Sequence, residues 1–185
     1  MNAIDYEINK ELGECYLFMG EYEKSREYYH KAIGFNSDAT EPYMGLAAIA
    51  VHKGELEDAL ACYKKAHQVS PGEKSLTGMG MIEVELGLYS DAYEHFRSVL
   101  ELSPGNMMVV NSFLQLGYML NRLEETVPYL EAALEPGDTE AVRYALSACL
   151  LTLGRDEEAK SHLELLLGAN PANDSAKQLY AQFAA

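Results

Sequence analysis

The 185-residue chain is expected to fold as an all-α row of stacked helix pairs, and three observations carry that expectation. Gly20, Gly54, Gly87 and Gly154 recur along it, with Asn121 filling the one missing position, in steps of 34, 33, 34 and 33 residues. A fixed period of this length signals small identical units, each burying its apolar face against its neighbours. The runs between those points carry apolar residues three and four apart, as at Leu56, Ala59, Leu60, Tyr63 and Ala66, and no alternating strand pattern of useful length interrupts them. A second kind of break, rich in Ser, Pro, Gly, Asp and Asn, falls between the periods: Asn36-Ser37-Asp38, Ser70-Pro71-Gly72, Ser103-Pro104-Gly105-Asn106, Pro136-Gly137-Asp138 and Asn170-Pro171-Ala172-Asn173.

Taken in order, the units span residues 6–39, 40–72, 73–106, 107–139 and 140–172, all within one domain of residues 1–185. Each reads as helix, tight turn, helix, short loop. Glycine at the tight turn accepts the left-handed backbone that ends a helix, and Pro or Asp in the loop starts the next. Five residues beyond each turn stands Ser25, Ala59, Ala92, Thr126 or Ala159, and then a bulky partner: Tyr29, Tyr63, Phe96, Leu130 or Leu163. After the fifth unit, Ala176, Leu179, Tyr180 and Phe183 share one face of a last helix within 173–185, which Asn173 or Asp174 can cap. That helix is expected to close the stack by covering its otherwise bare apolar end.

Leu12-Gly13, Tyr16, Gly20, Tyr29 and Ala32 in the first unit form a pattern repeated by Leu46-Ala47, Gly54, Ala59, Tyr63, Ala66 and Pro71, and again by Gly80, Gly87, Ala92, Phe96 and Pro104. This pattern resembles the tetratricopeptide repeat over about residues 6–172. The resemblance implies a right-handed superhelical solenoid of five helix-turn-helix repeats plus a C-terminal capping helix, with the first helices lining a concave groove. The fourth unit departs most, with Leu114 for the small residue, Gly117 for the aromatic, Asn121 for the turn glycine and Thr126 for the alanine. Pro128 also falls inside its second helix, where it removes a backbone donor and favours a bend.

By the same resemblance, the groove-facing positions include Leu17 and Phe18 in the first unit, Met44 and Val51 in the second, and Met81 and Val84 in the third. Asn111, Gln115, Tyr118 and Met119 follow in the fourth, and Tyr144 and Leu151 in the fifth. The stripe is mostly apolar and rich in methionine, whose flexible thioether suits varied apolar partners. It fits an amphipathic helix or an extended segment with apolar anchors. The competing reading of any one of these residues is packing between neighbouring helices. A clamp for C-terminal carboxylates, known in part of the family, is missing: Lys10 is well placed, but Glu14 stands where asparagine is expected. The positions that would pack on a preceding repeat are Ile8 and Cys15, extended by Ile4. These are either apolar residues tolerated at an end or an edge that another chain, a second copy included, or a removed N-terminal segment covers. Glu83 falls where the family places a buried aromatic, so it is expected to be paired, partly exposed or turned to the groove.

The remaining composition narrows the function. With 14 Lys and Arg against 29 Asp and Glu, the net charge is −15, and no basic cluster is present to displace counterions from nucleic acid or to meet an anionic membrane. The acidity draws a basic partner or serves solubility. Cys15, Cys62 and Cys149 form no paired metal or disulfide pattern and read as small hydrophobes in a reducing compartment. No run approaches the roughly 18 apolar residues of a spanning helix, and the first residues carry acids where a secretory leader would be basic. The cytoplasm is therefore the expected compartment, or the periplasm if a leader was removed. The histidines, His30, His52, His67, His95 and His162, make no metal-binding spacing and are expected on solvated faces. The acids of Glu55–Asp58 and Asp156–Glu158 suit helix N-termini. No catalytic residue, cofactor or metal is expected. The expected function is an interaction module holding a protein segment, as a scaffold or in the manner of bacterial secretion chaperones, which its small acidic body resembles. The alternatives are a self-assembling structural piece or an accessory fragment of a larger enzyme.

Overall fold

A computed structural model describes residues 3–135 and 139–184 of the chain. The break expected at Pro136-Gly137-Asp138 lies outside the described residues. Among those described, all regular structure is helical. The helices are α1 (Ala3–Phe18), α2 (Tyr22–Phe35), α3 (Glu41–Lys53), α4 (Leu56–Val69), α5 (Glu73–Glu85), α6 (Tyr89–Leu102), α7 (Met107–Met119), α8 (Leu123–Leu134), α9 (Glu140–Thr152), α10 (Asp156–Ala169) and α11 (Asp174–Tyr180). A short 3₁₀ segment, Ala181–Ala184, follows α11, so the closing helix is shorter than expected.

The tight turns carry the predicted chemistry. Gly20, Gly54, Gly87 and Gly154 have φ between 72° and 74°, and Asn121 has φ 54°, in the left-handed region that asparagine tolerates better than other side chains. Across the wider loops, caps start the next helices: Asn106 Oδ1 accepts from Val109 N–H at 3.3 Å, and Asn173 Oδ1 accepts from Ala176 N–H at 2.9 Å. The small positions of the second helices, Ser25, Ala59, Ala92, Thr126 and Ala159, are fully buried, which lets paired helices approach closely.

Contacts divide the chain into one unit ending at His95 and another starting at Phe96, the division falling inside α6. In the first unit, Tyr29 of α2 enters between Gly13 of α1 and Gly45 of α3. A Cβ at Gly13 would stand 2.7 Å from the Tyr29 ring, and one at Gly45 would collide with its far end. Leu46 and Ile49 pack on the same ring, with Leu17, Tyr22, Ile33 and Cys62 around them. Ser25 Oγ donates to Gly13 O at 2.7 Å, so the smallest residue of α1 is held on α2 by its own carbonyl. Across the surface, Arg26 donates to Glu55 at 2.8 Å and Lys53 to Glu23 at 2.7 Å. Such exposed pairs add at most a few tenths of a kcal/mol each, up to about 1, so the buried ring dominates.

Burial pushes the Tyr29 phenol up to about 12, with the Glu14 carboxylate adding to the rise. An unfolded phenol ionises near pH 10. Its folded value is the higher one, so the unfolded state releases the proton first as pH rises. The stabilising contribution is complete below about pH 10 and is lost on going to about 12. Urea melts at pH 9, 10 and 11 are expected to show falling stability, with a shallower fall in Tyr29→Phe.

In the second unit, Phe113 of α7 meets Tyr129 of α8 edge-on with centroids 5.2 Å apart, and the Tyr129 hydroxyl donates to Glu101 at 3.1 Å. Thr126 Oγ1 turns onto its own helix, donating to Arg122 O at 3.0 Å. It lies against Gly117, which lacks the aromatic side chain the family pattern places there. Pro128 is exposed within α8, and the helix runs through it to Leu134. At the far end, Ala176 of α11 is buried against Leu163 and Leu166, with Leu179, Tyr180 and Phe183 beside it. This is the apolar face expected of a closing helix.

Candidate functional site

Both helices of each pair send apolar residues into the core, and the first helices also keep a set of apolar residues exposed, which makes their outer wall the candidate site. In the first unit, Phe18 is 96% exposed and Val51 and Met81 are exposed, while Leu17, Met44 and Val84 are half-buried. Leu17 also packs on the Tyr29 cluster, so part of it belongs to the core. A cleft of about 770 Å³ joins Leu17 and Met44, with Ala48 between its walls and the Ser70-Pro71-Gly72 loop at its rim.

In the second unit, Asn111, Gln115, Tyr118 and Met119 are exposed, and Tyr144 and Leu151 are half-buried. Tyr144 packs on the Leu163 and Leu166 cluster. Tyr118 exposes its ring but engages its hydroxyl. Burial, followed by a hydrogen bond with the Cys149 thiol, pushes the phenol up to about 12, with Thr152 hydrogen-bonding in the opposing sense. Cys149 is fully buried, and burial raises its thiol as well. Tyr118 is thus a strut from α7 to α9 as well as a wall residue.

The N-terminal edge is bare in the described residues. Ile4 is 67% exposed, Ile8 50%, and Cys15 is exposed. Farther along, α3, α5, α7 and α9 bury the matching residues, as with Ile49, Ile82, Leu116 and Cys149.

Glu83 is 2% exposed, and its Oε2 lies 2.6 Å from His95 Nδ1, so a ring N–H there donates to the carboxylate. Pairing across α5 and α6 is how this unit tolerates a carboxylate in an aromatic's place. The expectation of solvated histidines fails for three of the five: His95 is partly buried in that pair, His67 Nδ1 meets Ser75 Oγ at 2.9 Å, and Arg143 lies 3.1 Å from His162 Nδ1. His30 and His52 are exposed, with His52 stacked on Tyr22 at a centroid distance of 5.4 Å. The spacing of histidines along the chain excluded a metal motif but carried no signal of these cross-helix partners.

No described helix is long and apolar enough to cross a membrane. Two models of the tetratricopeptide repeat match the chain, over residues 7–38 and 118–183. Among curated proteins, the BBSome complex member BBS4 of Bos taurus is 35% identical over 112 residues, 60% of this chain and 21% of that protein. The TPR repeat-containing protein YpiA of Bacillus subtilis is 27% identical over 175 residues, 89% of this chain and 40% of that protein. The chain thus spans well under half the length of either relative. Among solved structures, YrrB, described as a TPR protein with an unusual peptide-binding site, superposes with TM-score 0.66 at 18% identity, covering 92% of this chain and 89% of that one. The MamA protein superposes with TM-score 0.68 at 13% identity, covering 90% and 92%. At these identities the structural likeness establishes the fold. The repeat models, the helix pairs and the left-handed turns agree, and the chain belongs to the tetratricopeptide repeat superfamily.

Proposed function

We propose that the chain is a non-enzymatic module that holds an apolar or amphipathic protein segment on the exposed wall of its first helices, as a scaffold or a secretion-type chaperone. The superfamily fold is that of a protein–protein interaction scaffold. The single observation that carries the finer reading is the exposure of the wall: Phe18, Val51 and Met81 in one unit, and Tyr118 and Met119 in the other, stay outside the core. The names of two similar proteins, a BBSome complex member and a TPR protein with a peptide-binding site, support assembly and peptide binding. We also take residues 1–185 as one domain of five repeats, at about 6–39, 40–72, 73–106, 107–139 and 140–172, with a cap at 173–185. The alternation of tight turns and longer loops supports that division.

The test is affinity capture with mass spectrometry, followed by direct binding of the identified partner. Met81→Glu and Met119→Glu replace exposed thioethers, so both variants are expected to keep their helical melting curves. Each is expected to weaken partner binding about tenfold or more, since a carboxylate in an apolar contact must be desolvated. Equal binding by both, with loss in Leu165→Glu on α10 instead, removes the wall from the site.

A second reading is favoured by the exposed Ile4 and Ile8: copies associate through the N-terminal edge, Cys15 included. Light scattering on the concentrated chain decides it, and a strict monomer ends it. The short share of each relative that is matched favours a third, in which the repeats are an accessory part of a longer protein, such as a larger enzyme.

A further inference from the structure

The cleft of the first unit has a charge pattern that its apolar lining does not require. Leu17, Tyr29, Met44 and Ala48 give it an apolar lining, while Glu14 of α1, Glu41 of α3 and Glu73 of α5 line it with carboxylates, against one lysine, Lys74. The three acids come from three successive first helices, so they are spread along the cleft; Glu73 is half-buried and engaged within the chain, which leaves Glu14 and Glu41 to meet a partner. Glu14 makes no hydrogen bond or ion pair with any other described residue. Glu41 accepts only a long hydrogen bond, 3.4 Å, from the Tyr6 hydroxyl. Lys10, which the family pattern also places on this wall, is already held by Glu7 at 2.7 Å and Glu11 at 3.3 Å. The rim therefore presents net negative charge beside an apolar socket.

We propose that this cleft receives an apolar side chain of a protein segment that carries lysine or arginine on either side of it, so the partner is a basic amphipathic segment. The proposal rests on the wall reading given above and adds the partner's charge. The socket alone would accept any apolar anchor. Glu14 and Glu41, both exposed, discriminate, because an acidic segment would meet like charge at these two points, and a basic one meets opposite charge. The net charge of −15 adds long-range attraction for the same class of partner. This is the reverse polarity of a clamp built to grip a C-terminal carboxylate.

The test uses the full chain and three synthetic peptides of equal length, sharing the same leucine and phenylalanine anchors and flanked by lysines, glutamines or glutamates. Fluorescence anisotropy at about 0.1 M salt is expected to show the lysine peptide binding about tenfold more tightly than the glutamine peptide, as several exposed ion pairs together supply. The gap is expected to close at about 1 M salt, where the screening length falls to about 3 Å. In the double variant Glu14→Gln/Glu41→Gln the gap narrows to about twofold. Equal binding of the lysine and glutamine peptides by the native chain overturns the charge inference and leaves the wall reading standing. A gap that persists in the double variant overturns the assignment to this cleft. Binding of all three peptides that is indifferent to Met44→Glu, or no binding of any, overturns the wall reading itself.

Discussion

Tyr29→Ala is expected to destabilise the chain by about 3–5 kcal/mol, the range for deleting a buried aromatic side chain. The ring is 2% exposed and touches two hairpins at once, through Gly13 of α1 and Gly45 of α3. Its removal opens a cavity that neither glycine can fill, and the short contact set by Ser25 and Gly13 keeps α1 and α2 from collapsing into it. Urea unfolding followed by circular dichroism measures the loss. Tyr43→Ala is the comparison, since Tyr43 is only half-buried and its hydroxyl donates to Ser37 O at a long 3.3 Å. That variant is expected to lose about 1 kcal/mol or less. Equal losses in the two variants contradict the assignment of Tyr29 as the wedge of the first unit.

The second large effect belongs to the Glu83–His95 pair. His95→Ala leaves a carboxylate at 2% exposure without the imidazole that stands 2.6 Å away, and about 2–3 kcal/mol of stability is expected to go. The loss falls below that of fully buried pairs, about 3–5 kcal/mol, because the His95 side chain keeps 28% of its surface in solvent. Glu83→Leu/His95→Ala removes both polar partners and is expected to recover much of that loss, as apolar replacement of a buried pair commonly does. A double variant whose loss equals the sum of the singles shows that the two side chains do not act as a pair.

What the residues alone disclosed was local. The left-handed turn at Asn121 was readable because its place in the period demanded a residue that tolerates positive φ, and the asparagine has φ 54°. A cap at Asn173 or Asp174 and the apolar face of Ala176, Leu179 and Phe183 follow from spacing within a few residues, and Asn173 is the one that caps. Contacts across helices were less legible. Glu83 and His95 sit twelve residues apart on different helices, so nothing in either helical pattern pairs them. The hydroxyl of Tyr118 hydrogen-bonds with Cys149 and Thr152 of α9, on another helix, so no spacing within one helix signals the link. Leu17 and Tyr144 show the same limit. A first-helix position can face outward and still lean on a neighbouring cluster, and side-chain length decides how much. The acids of the first cleft were each visible, but only the packing of α1, α3 and α5 collects them in one cleft.

The five left-handed turns carry an evolutionary corollary. Because they recur every 33 or 34 residues, gene duplication or loss of one such block lengthens or shortens the chain by a whole helix pair and leaves the packing inside every other hairpin unchanged. A deletion of a few residues inside a helix has no such freedom, since each lost residue rotates everything beyond it by about 100°. Length variation among descendants of this sequence is therefore expected to come in whole modules, with smaller changes confined to the loops that join one hairpin to the next.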